Sequence, residues 1–522
     1  MNLTWIKTFN IIFLKYKNNI FYPAIISFLL IGVGLFIFAL NGIGTLLHFD
    51  EWVGRGLYPG LALAYGADLY EPFKGPHITL YGAGTALFYA PAAIASTPQI
   101  AIWISFLLNI STLLFSIGYL LNRLLSSLFP KILERSISII ALLIISISIL
   151  AIDPTTEGVL RVHSDLPAFF FLLSSLCFFD AYLRKPDRLL ILSSCFCLSL
   201  SVWAKAPTLP ATLFPVIYFV SGKQYRQALS SIVYLLVAFF VTSIIVFCLY
   251  GYEDTITILY KHLKANLWSD RNTLFYGKSS LVQMSYIEAI PLLFRFFVMY
   301  LAEYWYIFFH SILCTFFTWS TFSREPKHYI LKNLCIIYIL TLPACLAALA
   351  HYGSVHNSLL FANAIGILIF IFSFISIGST IFSSKKYLIV LTIIAPLCTL
   401  PLVRISKSAP NNTLSSPQQQ AFDYLKSGKD DVYFGWYPIA HILHSGKAPT
   451  SIEVPIHLSE SMPKDVDFSI NHFPEGSKYL ATCHVGYGGN ILQQYLGNLD
   501  EVSSPLELSE WRLFEIRDRK TP

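Results

Sequence analysis

The residues best suited to chemistry are two adjacent acids in the motif HFDEW, Asp50 and Glu51, which follow the first long apolar run. A carboxylate held at a membrane surface can act as a general base toward a sugar hydroxyl. The same pair could instead mark the solvated boundary of a membrane-spanning helix. Position alone leaves both interpretations open.

A second polar group, Arg161, His163 and Asp165, stands in RVHSDLPAFFF, immediately before a long apolar run. Pro167 suits the first turn of a helix, and Ser164 or Asp165 could cap that helix. Capping would explain the acid fully. It would leave the arginine and the histidine without a role.

A lone lysine, Lys205, lies in VWAKAPTLP between two apolar runs, at the predicted outer end of a span. An ammonium near the membrane interior usually pairs or binds an anion, and phosphate suits its compact charge. A lysine that reaches to the interface is the alternative. His356 and Asn357, in the late loop HYGSVHNSLLFANA, could bond a sugar or a phosphate, or could be ordinary loop residues.

Three ionisable residues, Arg295, Glu303 and His310, fall within one predicted span. Their spacing places them roughly on one face of a continuous helix. Ionisable residues inside a membrane are functional candidates, and an internal ion pair is the alternative.

The elements that must position these residues follow from composition. The chain is 55% hydrophobic and 13% charged, with a mean hydropathy of +0.60. Soluble proteins carry about 25% charged residues, so the composition predicts an integral membrane protein. The net charge of +6 comes from short basic loops, and no nucleic-acid partner is expected. Cys483 is the only cysteine in the tail, which excludes a disulfide framework there.

At about 20 residues per helix, the apolar runs predict about eleven transmembrane helices. Loops rich in Lys and Arg stay in the cytoplasm, which places the N-terminus inside and the C-terminus outside. The segment 78–97 is apolar enough to span, but counting it would invert this order, so we predict a helix at the outer interface. The predicted spans are 22–47, 100–122, 136–152, 166–183, 189–205, 207–222, 228–250, 289–318, 329–350, 359–380 and 387–403.

Two domains are predicted, a transmembrane domain over 1–403 and an outer tail over 404–522. The tail alternates helix-like and strand-like segments, such as QQQAFDYLKSG and DVYFGW, which is typical of a small α/β domain. The predicted fold class is therefore an α-helical polytopic membrane protein with interfacial helices in its first outer loop and a small C-terminal α/β soluble domain.

Known catalytic signatures are missing from the sequence: it has no P-loop, dinucleotide-binding turn, nucleophile elbow or zinc-protease helix in a supporting context. The energy for any reaction must then come from an activated substrate. Because nucleotides are absent at the outer face, a lipid-linked donor is the natural choice.

The order and sidedness of these motifs resemble the GT-C superfamily of integral membrane glycosyltransferases, over residues 1–403. HFDEW is similar to the family's acidic motif after the first span, and RVHSDLPAFFF to its second acidic site. Lys205 matches a lysine after the fifth span of many members, and Asn357 a late asparagine. The first-loop stretch GADLYEPFKGPHITLYGAG is also similar to the family's, although Gly82 stands where proline is usual; the matching residues are Gly66, Leu69, Tyr70 and Tyr81.

The resemblance implies an inverting glycosyltransferase of the aminoarabinose-transferase-like or mannosyltransferase-like kind, in a bacterial inner membrane. Its partners would be a polyprenyl-phosphate sugar donor, a glycan, lipid or protein acceptor, and membrane lipids. Asp50 would be the general base, assisted by Glu51. A divalent metal cofactor is left open, since no ligand set is clear. Donor phosphate would be bound by Lys205, Arg161 and His356, and acceptor or sugar by Asp165, His163, Asn357 and Tyr81.

Three other functions stay open. A transporter or flippase of lipid-linked sugars would have broken helices and charges along a central path. An O-antigen-ligase-like enzyme would depend on the loop 251–288 more than on Asp50. A non-catalytic scaffold that presents the tail would leave Lys205 and the outer acids without a purpose.

Overall fold

A computed structural model of the chain describes residues 51–67, 82–128, 162–256, 267–271, 279–320, 329–351, 356–381, 417–449, 476–482, 500–503 and 511–516. The predicted spans 22–47, 136–152 and 387–403 lie outside these residues, as does the predicted domain boundary at 404.

Most of the described chain is helical. The bundle contains α1 (Glu51–Ala64), α2 (Ala83–Tyr89), α3 (Pro98–Leu128), α4 (Asp165–Arg184), α5 (Arg188–Ala204), α6 (Phe214–Ser221), α7 (Tyr225–Tyr250), α8 (Tyr252–Ile256), α9 (Ile290–Ser320), α10 (Tyr329–Ala350) and α11 (Leu360–Ile381). Three 3-10 segments occupy Ala90–Ile94, Ala206–Leu213 and His356–Leu359. An antiparallel hairpin joins β1 (Leu267–Arg271) to β2 (Ser279–Gln283). The tail contains α12 (Pro417–Lys426), β3 (Val432–Tyr433), α13 (Pro438–Ser445), β4 (Tyr479–Thr482), β5 (Asp500–Val502) and β6 (Arg512–Glu515).

Within the described residues, four helices are long and apolar enough to cross a membrane, and a fifth is added if the bent helix α9 counts as one span. The four are Pro98–Arg123, Asp165–Arg184, Tyr225–Tyr250 and Tyr329–Ala350, each at the place of a predicted span. These apolar helices are compatible with a membrane protein, while the total of about eleven stays a prediction.

The predicted span 207–222 is broken in the structure. A 3-10 segment, Ala206–Leu213, precedes the short helix α6. Pro207, Pro210 and Pro215 explain the break, since proline has no N–H to donate and its ring clashes with the preceding turn. The neighbouring predicted span 189–205 is the 17-residue helix α5.

Small hydroxyl residues hold the central helices together. Ser175 Oγ on α4 lies 2.8 Å from Ser194 Oγ on α5, and Ser201 Oγ donates to the carbonyl of Ala168 at 2.8 Å. On its other side α5 contacts α7 through Ser199. Small residues let helix backbones approach closely inside a membrane, and their hydroxyls bond across the interface.

The bundle has two ends that differ in charge. The Lys205 end contains the first residue of α4 and the last residues of α5, and the Arg184 end contains the opposite termini of the same helices. Because α4 and α5 are antiparallel and joined by three residues, Asp165 and Lys205 share one end. Seven basic residues of the described bundle lie at the other end: Arg123, Arg184, Lys185, Arg188, Lys223, Arg226 and Lys332. Arg55 on α1 and Arg295 on α9 do not belong to this group.

The short helix α2 and its 3-10 extension lie at the Lys205 end. Gly82 contacts the backbone of Trp203, and Thr85 Oγ1 donates to the carbonyl of Ala204 at 3.2 Å. At the other end of α2, Tyr89 contacts the backbone of His163. Both ends of α2 therefore contact residues at the Lys205 end of the bundle, and the interfacial placement of 78–97 stays a prediction.

The helix α9 is bent at Tyr304, which has non-helical angles of φ −125° and ψ 25°. The two halves meet at about 90°. Our prediction that Arg295, Glu303 and His310 share one face of a continuous helix is therefore wrong, because the bend separates the histidine from the other two. His310 Nε2 instead lies 2.9 Å from Ser373 Oγ on α11.

Helices and strands do alternate in the described tail. Its four-stranded sheet has the order β3-β4-β6-β5, with β3 and β4 parallel and the other pairs antiparallel. A small aromatic core fills the space between this sheet and the two helices, and includes Phe434, Tyr437, Trp511 and Phe514.

Candidate functional site

A buried carboxylate at the first residue of α4 links two basic side chains. Asp165 is fully buried; its Oδ2 lies 2.5 Å from His163 Nδ1, and its Oδ1 accepts a bond from the ammonium of Lys205. Both carboxylate oxygens are thus engaged. The side chain of Lys205 remains 16% exposed, so the outer surface of the cluster is a cation.

The capping role considered for Asp165 is wrong. Ser164 is the N-cap of α4, and its side chain makes no capping bond. The carboxylate points instead toward Lys205, which is the C-cap of α5 with an extended backbone. The lysine can reach the acid because α5 ends one residue before it and Ala206 and Pro207 turn the chain into a 3-10 segment.

Backbone strain accompanies the cluster. Val162, immediately before His163, has φ +51°, a left-handed conformation that is unusual for a β-branched residue. Such strain persists only where surrounding contacts enforce it and is concentrated at functional sites. Here the enforcing contact is close: a Cβ added at Gly56 on α1 would lie 1.7 Å from the Val162 carbonyl oxygen.

The buried Tyr89 contacts the backbone of His163. The hydroxyl of Tyr89 lies 3.2 Å from the His163 carbonyl oxygen and 2.9 Å from Asn109 Oδ1. With a carboxylate at Nδ1, a neutral imidazole carries its proton on that nitrogen and its lone pair on Nε2. The Asp165–His163 pair therefore has the arrangement in which a carboxylate orients a histidine base.

The structure brings together three of the predicted site residues and leaves others unplaced. His163, Asp165 and Lys205 form one cluster, although the sequence assigned the lysine to a donor phosphate and the other two to an acceptor. Asp50, Tyr81 and Arg161 lie outside the described residues. Glu51 begins α1, and His356 and Asn357 begin the 3-10 segment before α11.

The acidic start of α1 lies near this cluster. Gly56 of α1 contacts the backbone of Val162 and His163. An α-helix rises about 1.5 Å per residue, so Glu51 lies about 7.5 Å along the helix axis from that contact. The helix that begins at Glu51 thus contacts the loop that carries His163, next to Asp165.

The tail docks onto the same end. Ile439 and Ile442 of α13 pack into the bundle core, against α1. The hydroxyl of Tyr58 on α1 donates to the carbonyl of Pro449, and Gln419 Oε1 accepts from the backbone N–H of Gln99 at 3.4 Å. The tail therefore contacts both α1 and the first turn of α3.

The hairpin of β1 and β2 lies against the end of α10. Trp268 on β1 is buried, donates from Nε1 to the carbonyl of Met284 at 2.8 Å, and packs edge-on against the ring of His351. This hairpin belongs to the loop 251–288, on which a ligase-like mechanism would depend.

Sequence reasoning missed a second buried acid. Asp180 on α4 is fully buried, and its Oδ2 accepts from Arg184 Nε at 3.0 Å and from Arg123 Nε at 3.4 Å. The signal was readable, since one acid stands inside the apolar run 166–183, four residues before an arginine.

The described ranges contain no group of three or more His, Cys, Asp or Glu residues that converge to hold a metal ion. Both oxygens of Asp165 are engaged by Lys205 and His163. No protein family and no curated protein matches this chain in sequence. The resemblance to the GT-C superfamily therefore stays a prediction.

Proposed function

We propose that the chain is an inverting glycosyltransferase that moves a sugar from a polyprenyl phosphate to an acceptor at the Lys205 end of the bundle, on the outer face of the membrane. The observation that carries this proposal is the buried Asp165, which holds the partly exposed Lys205 and also pairs with His163, whose backbone contacts the helix that begins at Glu51. The distribution of basic residues favours the Arg184 end as the cytoplasmic side.

In this mechanism Lys205 faces the leaving phosphate. Cleavage of the bond between sugar and phosphate transfers an electron pair to the phosphate oxygen, and a fixed ammonium stabilises that developing charge. Asp165 orients the ammonium and keeps it from being an isolated cation in an apolar setting, which would be costly. The carboxylate is then a positioning group rather than an acceptor ligand.

The acceptor hydroxyl needs a base that takes its proton as it attacks the anomeric carbon from the face opposite the phosphate. Asp50 is the first candidate, since it precedes α1, and Glu51 the second. The geometry adds His163, whose imidazole is oriented by Asp165. Each of the three can accept one proton and return it to solvent, so the proton balance closes.

The test is transfer from radiolabelled polyprenyl-phosphate sugars, carrying hexoses or pentoses, by the purified protein. Asp50→Asn, Glu51→Gln and His163→Asn identify the base, and Lys205→Gln tests the phosphate ligand. Lys223→Gln, at the opposite end, is the matched control for loss of a lysine. The proposal predicts that one of the acid or histidine variants and Lys205→Gln abolish transfer. Full activity in Lys205→Gln and in all three base variants would exclude it.

A flippase of lipid-linked sugars is the second candidate, because two helical segments are interrupted: α9 at Tyr304 and the segment Ala206–Ser221. Discontinuous helices are typical of transporters. Proteoliposomes separate the two functions. A flippase moves a fluorescent lipid-linked sugar between leaflets without an acceptor, whereas a transferase releases polyprenyl phosphate only when an acceptor is present.

A further inference from the structure

A buried amide on α11 lies against the bent helix α9. Asn363 is fully buried, and its Oδ1 accepts a hydrogen bond of 3.1 Å from the hydroxyl of Tyr300. Its Nδ2 has no acceptor within the part of the chain that the structure describes. A buried donor without an acceptor loses the hydrogen bonds that it made with water and gains none in return. The amide therefore requires an oxygen that these side chains do not supply.

The neighbouring hydroxyl groups do not meet this requirement. The hydroxyl of Tyr338 on α10 lies 3.2 Å from that of Tyr300, and both tyrosines are fully buried. Each phenol has a single proton to donate. Because Tyr300 donates its proton to Asn363, the bond between the two tyrosines takes the proton of Tyr338. The donors therefore run from Tyr338 through Tyr300 to Asn363, and the chain ends at Nδ2.

Both sides of the α9 bend contact this stretch of α11. Tyr300 lies one turn before Tyr304, and the centres of their rings are 5.3 Å apart. Ile307 follows the bend, and a Cβ added at Gly366 would lie 2.3 Å from its Cγ2 atom. Asn363 and Gly366 are three residues apart, so they share one face of α11. The unfilled donor thus lies beside the bend at Tyr304.

The bend itself indicates an inserted group. Sharp kinks in helices arise at proline, at glycine and serine, at π-bulges, or where a side chain or a water enters the hydrogen-bond ladder. The sequence MYLAEYWYIFF over 299–309 contains no proline, glycine or serine, and α9 as described contains no π-helical turn. An inserted side chain or water remains as the cause, and the unfilled donor of Asn363 beside the bend favours water.

We propose that Asn363 and the bend of α9 enclose a water-binding site. The water oxygen accepts from Nδ2 of Asn363, and its two hydrogens donate to main-chain carbonyl groups of α9 beside the bend, each of which has two lone pairs. This gives the water three hydrogen bonds, the usual number for a buried water. Ordered waters satisfy polar groups in this way where membrane helices are broken.

The ligand is water and not a larger hydroxyl compound, since Asn363, Tyr300 and Tyr338 are all fully buried. The site uses none of the residues of the Lys205 end to which the glycosyltransferase proposal assigns a role. The two proposals are therefore independent.

Radiolytic footprinting of the full-length protein in nanodiscs tests the site directly. A short X-ray pulse splits water into hydroxyl radicals, which oxidise a buried side chain only if a water lies next to it, and mass spectrometry locates the oxidised residues. Tyr300 is compared with Phe214, which is fully buried on α6, after correction for the reactivity of each ring. We expect Tyr300 to be oxidised faster. A rate as low as that of Phe214 in the wild-type protein would overturn the proposal, whether or not any variant folds.

Two amide substitutions locate the water. Asn363→Leu should lower the oxidation rate of Tyr300 to that of Phe214. Asn333→Leu is the matched control, because it removes an equally buried amide from α10, about 7.5 Å along the helix axis from Tyr338. It should leave the oxidation of Tyr300 unchanged. An equal loss in both variants would contradict a site at Asn363.

Thermal unfolding in detergent gives an independent measurement, made in a Tyr300→Phe background so that Asn363→Leu breaks no bond to that tyrosine. If a water is bound, Asn363→Leu removes a hydrogen-bonded amide and should lower the unfolding temperature. If none is bound, the same change replaces an unsatisfied buried polar group by an apolar one and raises that temperature. A rise would therefore overturn the proposal.

Discussion

The two ends of α4 carry the same feature, a fully buried aspartate, in two different settings. Asp165 pairs with one lysine and one histidine, whereas Asp180 pairs with two arginines. An ammonium and an imidazole can each give up a proton, but a guanidinium in a protein stays charged. The partners of Asp165 thus suit a reaction in which charge changes. The partners of Asp180 suit a permanent ion pair.

The elements packed around the two acids also differ. Around Asp165 lie a strained Val162, the helices α1 and α2, and a docked tail. Around Asp180 lie aromatic rings and exposed basic residues. Burial of an acid in this bundle therefore does not define its role. Its role depends on its ion-pair partners and on the elements packed around it.

The largest expected effect comes from breaking the pair at the Lys205 end. Lys205→Met leaves Asp165 buried without its cation, which should cost about 3–5 kcal/mol of stability and abolish transfer. The double variant Asp165→Asn with Lys205→Met should recover about 2 kcal/mol, because no charge then remains without its partner.

Thermal unfolding in detergent, followed by tryptophan fluorescence, measures both variants beside the transfer assay. Stability should return in the double variant while activity does not. A single variant as stable as wild type would mean that the ion pair contributes little, and the contrast between the two ends would fail.

The next largest effect is expected at the contact between α1 and the strained backbone at Val162. Gly56→Ala would place a methyl group 1.7 Å from the Val162 carbonyl oxygen, so α1 must shift. Overpacking of this kind costs about 1–3 kcal/mol, and we expect transfer to fall because the acids at the start of α1 move with it. Activity and unfolding temperature are the measurements.

Gly222→Ala is the control at the other end, where the nearest atom to the added carbon is an ordinary 3.6 Å away. It should change stability by less than about 0.5 kcal/mol and leave transfer intact. Equal behaviour of the two alanine variants would contradict the importance of the close contact at α1.

We expect the stability of the tail helix α13, which docks at the Lys205 end, to depend on pH. Burial, with a smaller effect of His444, lowers the pKa of His441 to about 4, although Asp430 opposes this shift. Its Nε2 accepts the backbone N–H of Phe434 at 2.9 Å, which requires a neutral ring. The unfolded tail, with a histidine pKa of about 6.5, binds the proton first.

The contribution of His441 is therefore complete above pH 6.5 and is lost as the pH falls from there toward 4, at about 1.4 kcal/mol per pH unit. The protection factor of peptides from α13, corrected for the intrinsic exchange rate at each pH, should fall between pH 7 and pH 5 in wild type, while the protection factor of peptides from α4 near Asp180 stays constant. His441→Gln, which keeps an acceptor but does not titrate in this range, should remove the pH dependence. Persistence of the same dependence in that variant would assign it to another group.

The smallest effect is expected at the Arg184 end. Asp180→Asn removes the anchor charge, but both arginines are about one-third exposed and can turn toward water, so we expect a loss of about 1 kcal/mol and unchanged transfer. Asp165→Asn, measured in the same unfolding and transfer assays, shows directly whether the two buried acids differ in role. A loss of activity in Asp180→Asn equal to that in Asp165→Asn would remove the distinction between the two acids.

Much of the candidate site could be recognised from sequence, but its connections could not. Lys205, His163 and Asp165 stand out because ionisable residues are rare beside apolar runs. The joining of Lys205 to Asp165 depends on α4 and α5 forming an antiparallel pair of matching length. The bend at Tyr304 had no proline or glycine to signal it, and the one-face prediction for α9 failed for that reason.

The sequence by itself predicted a membrane protein, the places of the four long apolar helices, and a group of basic residues at one end. These properties depend on local composition, because each helix satisfies its own backbone and its apolar length must match the bilayer. Only the tertiary structure decided which charges meet, that the tail docks on α1, and that both oxygens of Asp165 are engaged. Such pairings depend on distances between helices far apart in sequence, and close packing of small residues sets those distances.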